Sequence, residues 1–400
     1  MTAAEPNLSN VPPGASGGPV LFALGFRPFF LLAAIFAIVT MGDWLYLYLG
    51  GGEVESYYGG IDRHPHEMIF GYTAAILAGF LLTAVRNWTN IMTASGASLA
   101  ALAGLWLAGR VAPFFPRALP PILIALVDLA FLPALAGALA VPLIRSRQRN
   151  LIFIPILLAL AAANLLVHLQ ESGYAAATAR PGTFLGLDLI VLIIVVVGGR
   201  VIPFFTERAL AGANVRRRTV IEWLAPLSAL AFAIADLASP NSPVAGACAA
   251  LAAIVNGARL LGWHDRRVWR MPLLWVLHLG YGWIVVGFFL RTLAAFGAAA
   301  PEYTIHAFTV GGIGVLTLGM MARVSLGHTG RPLEAAAPMA LAFVLINLAA
   351  LVRGILPIVA PEFFSQLIAL SGALWIAAFA LFIAVYAPIL TAPRIDGQPG

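Results

Sequence analysis

Arg63-His64-Pro65-His66-Glu67-Met68-Ile69-Phe70-Gly71-Tyr72 opens a hydrophobic run, residues 66–86, that is long enough to cross a bilayer. Two of the seven histidines stand there, one residue apart. Pro65 suits a first helical position, since it needs no N–H partner there and its φ is already helical. His64, before a proline, is pushed out of the α region. The expectation is a helix that starts at Pro65, with His66 on its first turn and His64 just outside. Ionisable side chains at such depth are costly, and their default reading is a functional site. The competing reading is a pair of interfacial histidines that meet only lipid headgroups.

Working outward, the same signature recurs. The chain of 400 residues is 61% hydrophobic and only 10% charged, where soluble domains carry roughly 25% charge. At ~20 apolar residues per crossing, twelve spans fall near 20–49, 66–86, 95–115, 120–144, 151–170, 184–205, 221–238, 243–262, 271–295, 302–323, 333–353 and 362–390. This is the pattern of an all-α polytopic integral membrane protein: one twelve-helix domain over 20–390, a disordered tail over 1–19 and a C-terminal tail over 391–400. The polar start has no basic n-region, and the apolar stretch after it exceeds a signal-peptide core of ~7–15 residues. An uncleaved first helix is expected.

The arginines orient the array. One set of loops holds Arg145, Arg147, Arg149, Arg216, Arg217, Arg218, Arg266, Arg267 and Arg270 among others. The opposite set holds Arg63, Arg110, Arg117, Arg180, Arg291 and Arg353, fewer than half as many. The positive-inside rule then places both termini in the cytoplasm and the loop before His64 outside. The net charge of +6 is accounted for by these loops and is no nucleic-acid signature. The single cysteine, Cys248, excludes an intrachain disulfide, a covalent Cys-x-x-Cys-His haem and an iron–sulfur cluster.

With topology set, depth can be assigned. His66 and His306 both begin helices that enter from outside, His168 lies near the outer end of the fifth span, and Asp43, Asp128, Asp188 and Asp236 fall in the outer half of theirs. His278 lies deeper, toward the cytoplasmic side. Gathering in one leaflet points to a shared polar cavity or metal site. Neutral imidazole is the usual protein ligand of haem iron and copper, so two facing imidazoles can hold a non-covalent haem and several on one side can bind copper. Glu67, Asp128 and Asp188 are placed to orient ligand rings or relay protons. Arg63 and Arg291 sit where haem propionates would seek cations. For Asp43 and Asp236 a plain helix-end or interhelical hydrogen bond is the stronger expectation. His328, in Gly327-His328-Thr329-Gly330-Arg331-Pro332, reads as part of a cytoplasmic turn. Gly71, Ala75 and Gly79 form a small-residue stripe that lets another helix approach. His66, Gly71 and Gly79 share their spacing with His306, Gly311 and Gly319, a hint of an internal repeat. No Walker loop, dinucleotide fingerprint or His-Glu-x-x-His motif occurs.

Several stretches together resemble the NnrS family of bacterial membrane proteins. They are Leu24-Gly25-Phe26-Arg27-Pro28-Phe29-Phe30, His64-Pro65-His66-Glu67-Met68-Ile69-Phe70-Gly71-Tyr72, Ala78-Gly79-Phe80-Leu81-Leu82-Thr83, Gly198-Gly199-Arg200-Val201-Ile202-Pro203-Phe204-Phe205, Trp275-Val276-Leu277-His278-Leu279-Gly280-Tyr281 and Arg323-Val324-Ser325-Leu326-Gly327-His328. The resemblance implies an inner-membrane protein containing haem and copper, tied to nitric oxide in denitrification and nitrosative stress. It marks His64, His66, His168, His278, His306 and His328 as positions to test. In the family a Trp is usual before the first of these histidines, where this chain has Arg63.

Two functions compete. One is a haem–copper protein that binds, detoxifies or reduces nitric oxide in the manner of a nitric oxide reductase; reduction of two NO to N2O takes two electrons from a donor outside the chain and two protons. The other is a twelve-helix secondary transporter that uses the same histidines and aspartates for proton coupling.

Overall fold

The computed structural model describes residues 19–398 apart from 53 and 148. The tail expected over 1–19 lies, but for Pro19, outside the described residues. Twelve helices are long and apolar enough to cross a membrane: α1 Phe26–Tyr48, α2 Gly60–Thr89, α3 Ala97–Phe114, α4 Pro121–Arg145, α5 Asn150–Glu171, α6 Ala179–Ala209, α7 Thr219–Ala238, α8 Pro243–Trp263, α9 Pro272–Ala295, α10 Pro301–His328, α11 Ala337–Val359 and α12 Pro361–Thr391. No strand occurs among the described residues. Backbone polar groups have no water to bond in a bilayer core, so an apolar chain of this kind satisfies them within helices.

The bundle is organised around α2 and α10. About 78% of the most apolar window of each is buried, against 33–61% in the other ten. α1 packs against α12 and α2, α9 against α10, and α5 against α6. Small residues let the central helices be approached on all sides. A Cβ on Gly79 would lie 2.8 Å from the Phe30 ring and 3.1 Å from Phe29 on α1, and one on Gly71 would lie 2.7 Å from Phe36. Thus the Gly71–Gly79 stripe meets α1. On α10, Gly311 lies against Trp283 of α9 and Gly314 against Trp375 of α12.

Both central helices widen to π-helical turns directly after a histidine: Glu67–Thr73 follows His66, and Ala307–Val315 follows His306. π-Turns are uncommon and concentrate at functional sites. In α2 the Thr73 hydroxyl donates to the Met68 carbonyl at 2.7 Å, across five residues.

Two expectations are corrected. α2 begins at Gly60, so His64 lies inside the helix and Pro65 is its sixth residue. The N–H that Pro65 lacks would have met the carbonyl of Ile61, a residue 75% exposed at the helix mouth, where water can serve it. Likewise α10 runs on through His328. The C-terminal tail folds back and supports its end: Arg394 donates to the His328 carbonyl at 3.0 Å, and the Ile395 amide to that of Thr329 at 3.2 Å.

Candidate functional site

The first cluster joins α2, α3, α4 and α5. His66 and Glu67 come from the start of the α2 π-turn, Arg110 from α3, Asp128 from α4, and Asn164 and His168, one turn apart, from α5. All six are buried. Asp128 is the hub. Its Oδ2 accepts from His168 Nε2 at 2.8 Å and Asn164 Nδ2 at 2.9 Å, and lies 3.2 Å from His66 Nε2. Its other oxygen pairs with Arg110, which also pairs with Glu67. His66 Nε2 further meets Asn164 Oδ1 at 2.9 Å and the Tyr58 hydroxyl at 3.1 Å. The network reaches toward the surface through Tyr57, whose hydroxyl stands 3.2 Å from His168 Nδ1 and 2.8 Å from Ser172. Burial holds the Tyr58 phenol well above its ordinary value, so it acts as a neutral hydroxyl.

Two consequences follow. One ligand atom each from His66, Asp128 and His168 lies within 4.8 Å of the others, a group with the dimensions of a metal site. Two carboxylates also face a single guanidinium. With neutral imidazoles the cluster therefore carries one uncompensated negative charge in a setting where charge is expensive, and a proton on a ring or a bound cation would balance it.

The second site lies on another side of α2. His64, Pro65, Met68 and Ile69 line a cavity of about 280 Å3 together with Trp44 of α1, Leu187 of α6, and His306, Thr309 and Val310 of α10. The His64 ring stacks on Trp44, centroids 4.6 Å apart and planes at 23°. Nδ1 of both His64 and His306 is buried without a well-formed hydrogen bond among the described residues, the His306 ring having the Glu302 backbone one turn back beside it. Arg180 and Arg353 complete the wall; both arginines went unremarked in the sequence, where they counted only as loop charges.

The structure therefore sorts the expected residues differently from their sequence spacing. His66 meets His168, their rings 5.6 Å apart, while His306 shares its cavity with His64. His278 stands apart on α9, its Nδ1 donating to the Leu274 carbonyl at 3.0 Å. His328 is at the other end of α10, against Phe26 and 3.4 Å from the Asn87 amide. Arg63 is engaged by Asp43, at 2.6 and 2.7 Å to its two carboxylate oxygens, and Arg291 by Asp236. Neither guanidinium is free for a propionate, and both aspartates make the interhelical contact expected of them. Asp188 lines a third cavity, of about 260 Å3, with Asp236, Arg291 and Arg180.

Twelve apolar helices, ten of them around the histidine-bearing core helices α2 and α10, define a multi-pass membrane protein with a buried polar centre. Residues 20–394 match the sequence model of the NnrS protein family. The chain belongs to the NnrS family, and that membership suggests a role linked to the nitric oxide response. No curated protein matches the chain.

Proposed function

We propose that this chain is a haem-containing protein of the bacterial cytoplasmic membrane that handles nitric oxide, by binding, detoxification or reduction, during denitrification or nitrosative stress. The observation that supports this reading is the cavity between His64 and His306. Each side chain comes from a core helix, each has a buried ring nitrogen without a well-formed hydrogen bond, both line the same cavity, and the walls between them are largely apolar. Unpaired buried polar atoms are rare in native structures and call for an explanation. Two imidazoles on facing helices are a donor set that suits haem iron. When bound, haem would supply a metal that takes up nitric oxide and exchanges electrons.

The chain's own residues have definite tasks in this account. His64 and His306 hold the cofactor, and Trp44 fixes the plane of the His64 ring. Met41, Leu187, Val310 and Ile368 keep the cavity apolar. With no metal at His66, His168 and Asp128, the chain of groups from Ser172 through Tyr57, His168 and Asp128 to His66 can hold and pass protons along one side of α2 while the cavity occupies another. A reductive activity would draw on such a store. By the arginine distribution this end of the bundle faces the periplasm.

Copper is the second group we propose, at His66, His168 and Asp128. Imidazole suits copper, the ligand atoms are mutually close, and a monovalent cation would cancel the charge left over by Glu67, Asp128 and Arg110. Asn164 and Tyr58 would then orient the ligand rings.

A proton-coupled transporter remains the second reading, favoured by one observation: α2 and α10 carry irregular turns at matching positions next to buried ionisable groups, as paired discontinuities do in transporters. Visible absorption and metal analysis of detergent-purified protein separate the two. A Soret band with reduced-state α and β bands is expected. A folded, colourless and metal-free protein would leave the transporter standing.

A further inference from the structure

We propose that Arg353, assisted by Arg180, is the anion-binding end of the cavity between His64 and His306, and that the ligand presents carboxylates there. This rests on haem being the ligand.

Four other arginines of the bundle are paired with carboxylates. Arg63 meets Asp43, Arg110 meets Glu67 and Asp128, Arg259 meets Glu222, and Arg291 meets Asp236. In these four cases a carboxylate from another part of the chain compensates the charge, as the cost of an isolated cation inside a membrane bundle requires. Arg27 instead donates to the carbonyls of Leu390 and Ala392, and Arg323 lies over the Phe205 ring. Arg353, in the last turns of α11, differs from those four and borders the cavity. It makes no ion pair among the described residues, and its Nη1 is buried with no hydrogen-bond partner. Its guanidinium lies 5.3 Å from the Phe364 ring centroid, a contact that supplies no hydrogen-bond acceptor in the plane of the group. Arg180, one residue into α6, is exposed at the cavity mouth and lies over the face of Phe184 at 5.6 Å, with no ion pair among the described residues. Asp62, the acidic residue of the lining, is exposed and pairs with neither.

Both guanidiniums therefore border a cavity whose remaining walls are largely apolar, with Thr183, Thr309, Ser371 and Asp62 as the other polar residues besides the two imidazoles. That combination selects an amphipathic ligand: an apolar body, a centre that accepts imidazole, and anionic groups at one edge. A guanidinium binds a carboxylate through two parallel N–H···O bonds, which lysine does not reproduce. Haem has two carboxylates on one edge, one for each arginine.

The test uses full-length protein produced without haem, titrated with haem and with haem dimethyl ester, in which both carboxylates are masked. Binding is read from the Soret band and from quenching of tryptophan fluorescence. The wild type is expected to hold haem about tenfold or more tighter than the ester, the scale of a charge-assisted hydrogen bond in a buried site. Arg353→Gln should lose most of that preference, Arg353→Lys should keep part of it, and Arg180→Gln should lose a smaller share. His306→Ala should weaken both ligands alike. Equal affinity of the wild type for haem and ester would overturn the arginine assignment and leave haem in place. So would a full preference retained in both Arg353→Gln and Arg180→Gln. Failure of the wild type to bind either ligand would overturn the haem reading and this inference together. Should Arg353→Gln not fold, the wild-type comparison and Arg353→Lys decide the matter.

Discussion

Replacing Arg110 with leucine isolates what the buried ion cluster contributes. The Arg110 side chain is 3% exposed, Glu67 8% and Asp128 3%. There is no room for water to replace the guanidinium: a Cβ on Gly71 would already lie 2.7 Å from Glu67 Oε2 and 2.9 Å from Arg110 Nη1, and the Trp106 indole donates to the Gly71 carbonyl at 3.0 Å. Arg110→Leu thus leaves two carboxylates without a counter-charge. Breaking a buried pair by removing one partner costs about 3–5 kcal/mol. Asp128→Asn is the informative contrast. It leaves Arg110 and Glu67 balanced one to one and forfeits hydrogen bonds to Asn164 and the histidines, about 1–3 kcal/mol. The ordering expected in thermal unfolding of the detergent-solubilised protein is wild type, then Asp128→Asn, then Arg110→Leu. The double variant should be more stable than Arg110→Leu alone, because one of the two stranded charges is gone. Asp128→Asn falling below Arg110→Leu, or no recovery in the double variant, would refute the charge count.

Other consequences can be checked alongside. Gly182→Ala should destabilise by about 1–3 kcal/mol, since its Cβ would lie 2.5 Å from the Ala163 carbonyl oxygen, a backbone atom of α5 that cannot swing away; thermal unfolding reads this, and loss of bound metal would report displacement of His168. Trp44→Ala should weaken haem binding by about two- to tenfold, the scale of a lost aromatic stack, measured by haem titration. In the loop between α8 and α9, the Arg267 side chain and amide hold the half-buried Asp265 carboxyl down to about 2. Its contribution is complete above the ordinary carboxylate range and is lost progressively as pH falls from there through about 2. Hydrogen exchange over residues 264–270, corrected for intrinsic rates, should therefore show the same protection at about pH 7 and pH 5.5, and less in Asp265→Asn.

The twelve crossings were legible because burial in lipid demands long apolar helices, and their limits came within a few residues: 243–262 was expected where α8 spans Pro243–Trp263, and 271–295 where α9 spans Pro272–Ala295. The larger errors lie at helix ends set by interactions distant in sequence. α10 extends to His328 because the tail caps it. α2 extends back to Gly60 because water at its mouth tolerates the missing amide of Pro65. That ionisable groups from several spans would gather near one end of the bundle was also readable, from loop charge and depth. Partner choice was not. His66 and His306, each at the start of a helix entering from the same side, were expected to share one site, yet the fold gives His66 to His168 and His64 to His306. Hydrophobic periodicity marks a buried face but not which helix will cover it, and a π-turn after each histidine shifts the faces that a 3.6-residue period assigns. Arg353 was hidden for a related reason. In sequence it is one loop-flanking arginine among several, and only the missing carboxylate, visible in three dimensions, distinguishes it from Arg63 and Arg291.

The central claim is that His64 and His306, not His66 and His168, hold haem. The visible spectrum of the purified protein tests it most directly when recorded for the wild type beside His64→Ala, His306→Ala and His168→Ala. The account predicts a Soret band in the wild type and in His168→Ala, and its loss in the other two variants. A band that survives both His64→Ala and His306→Ala but vanishes in His168→Ala would contradict it.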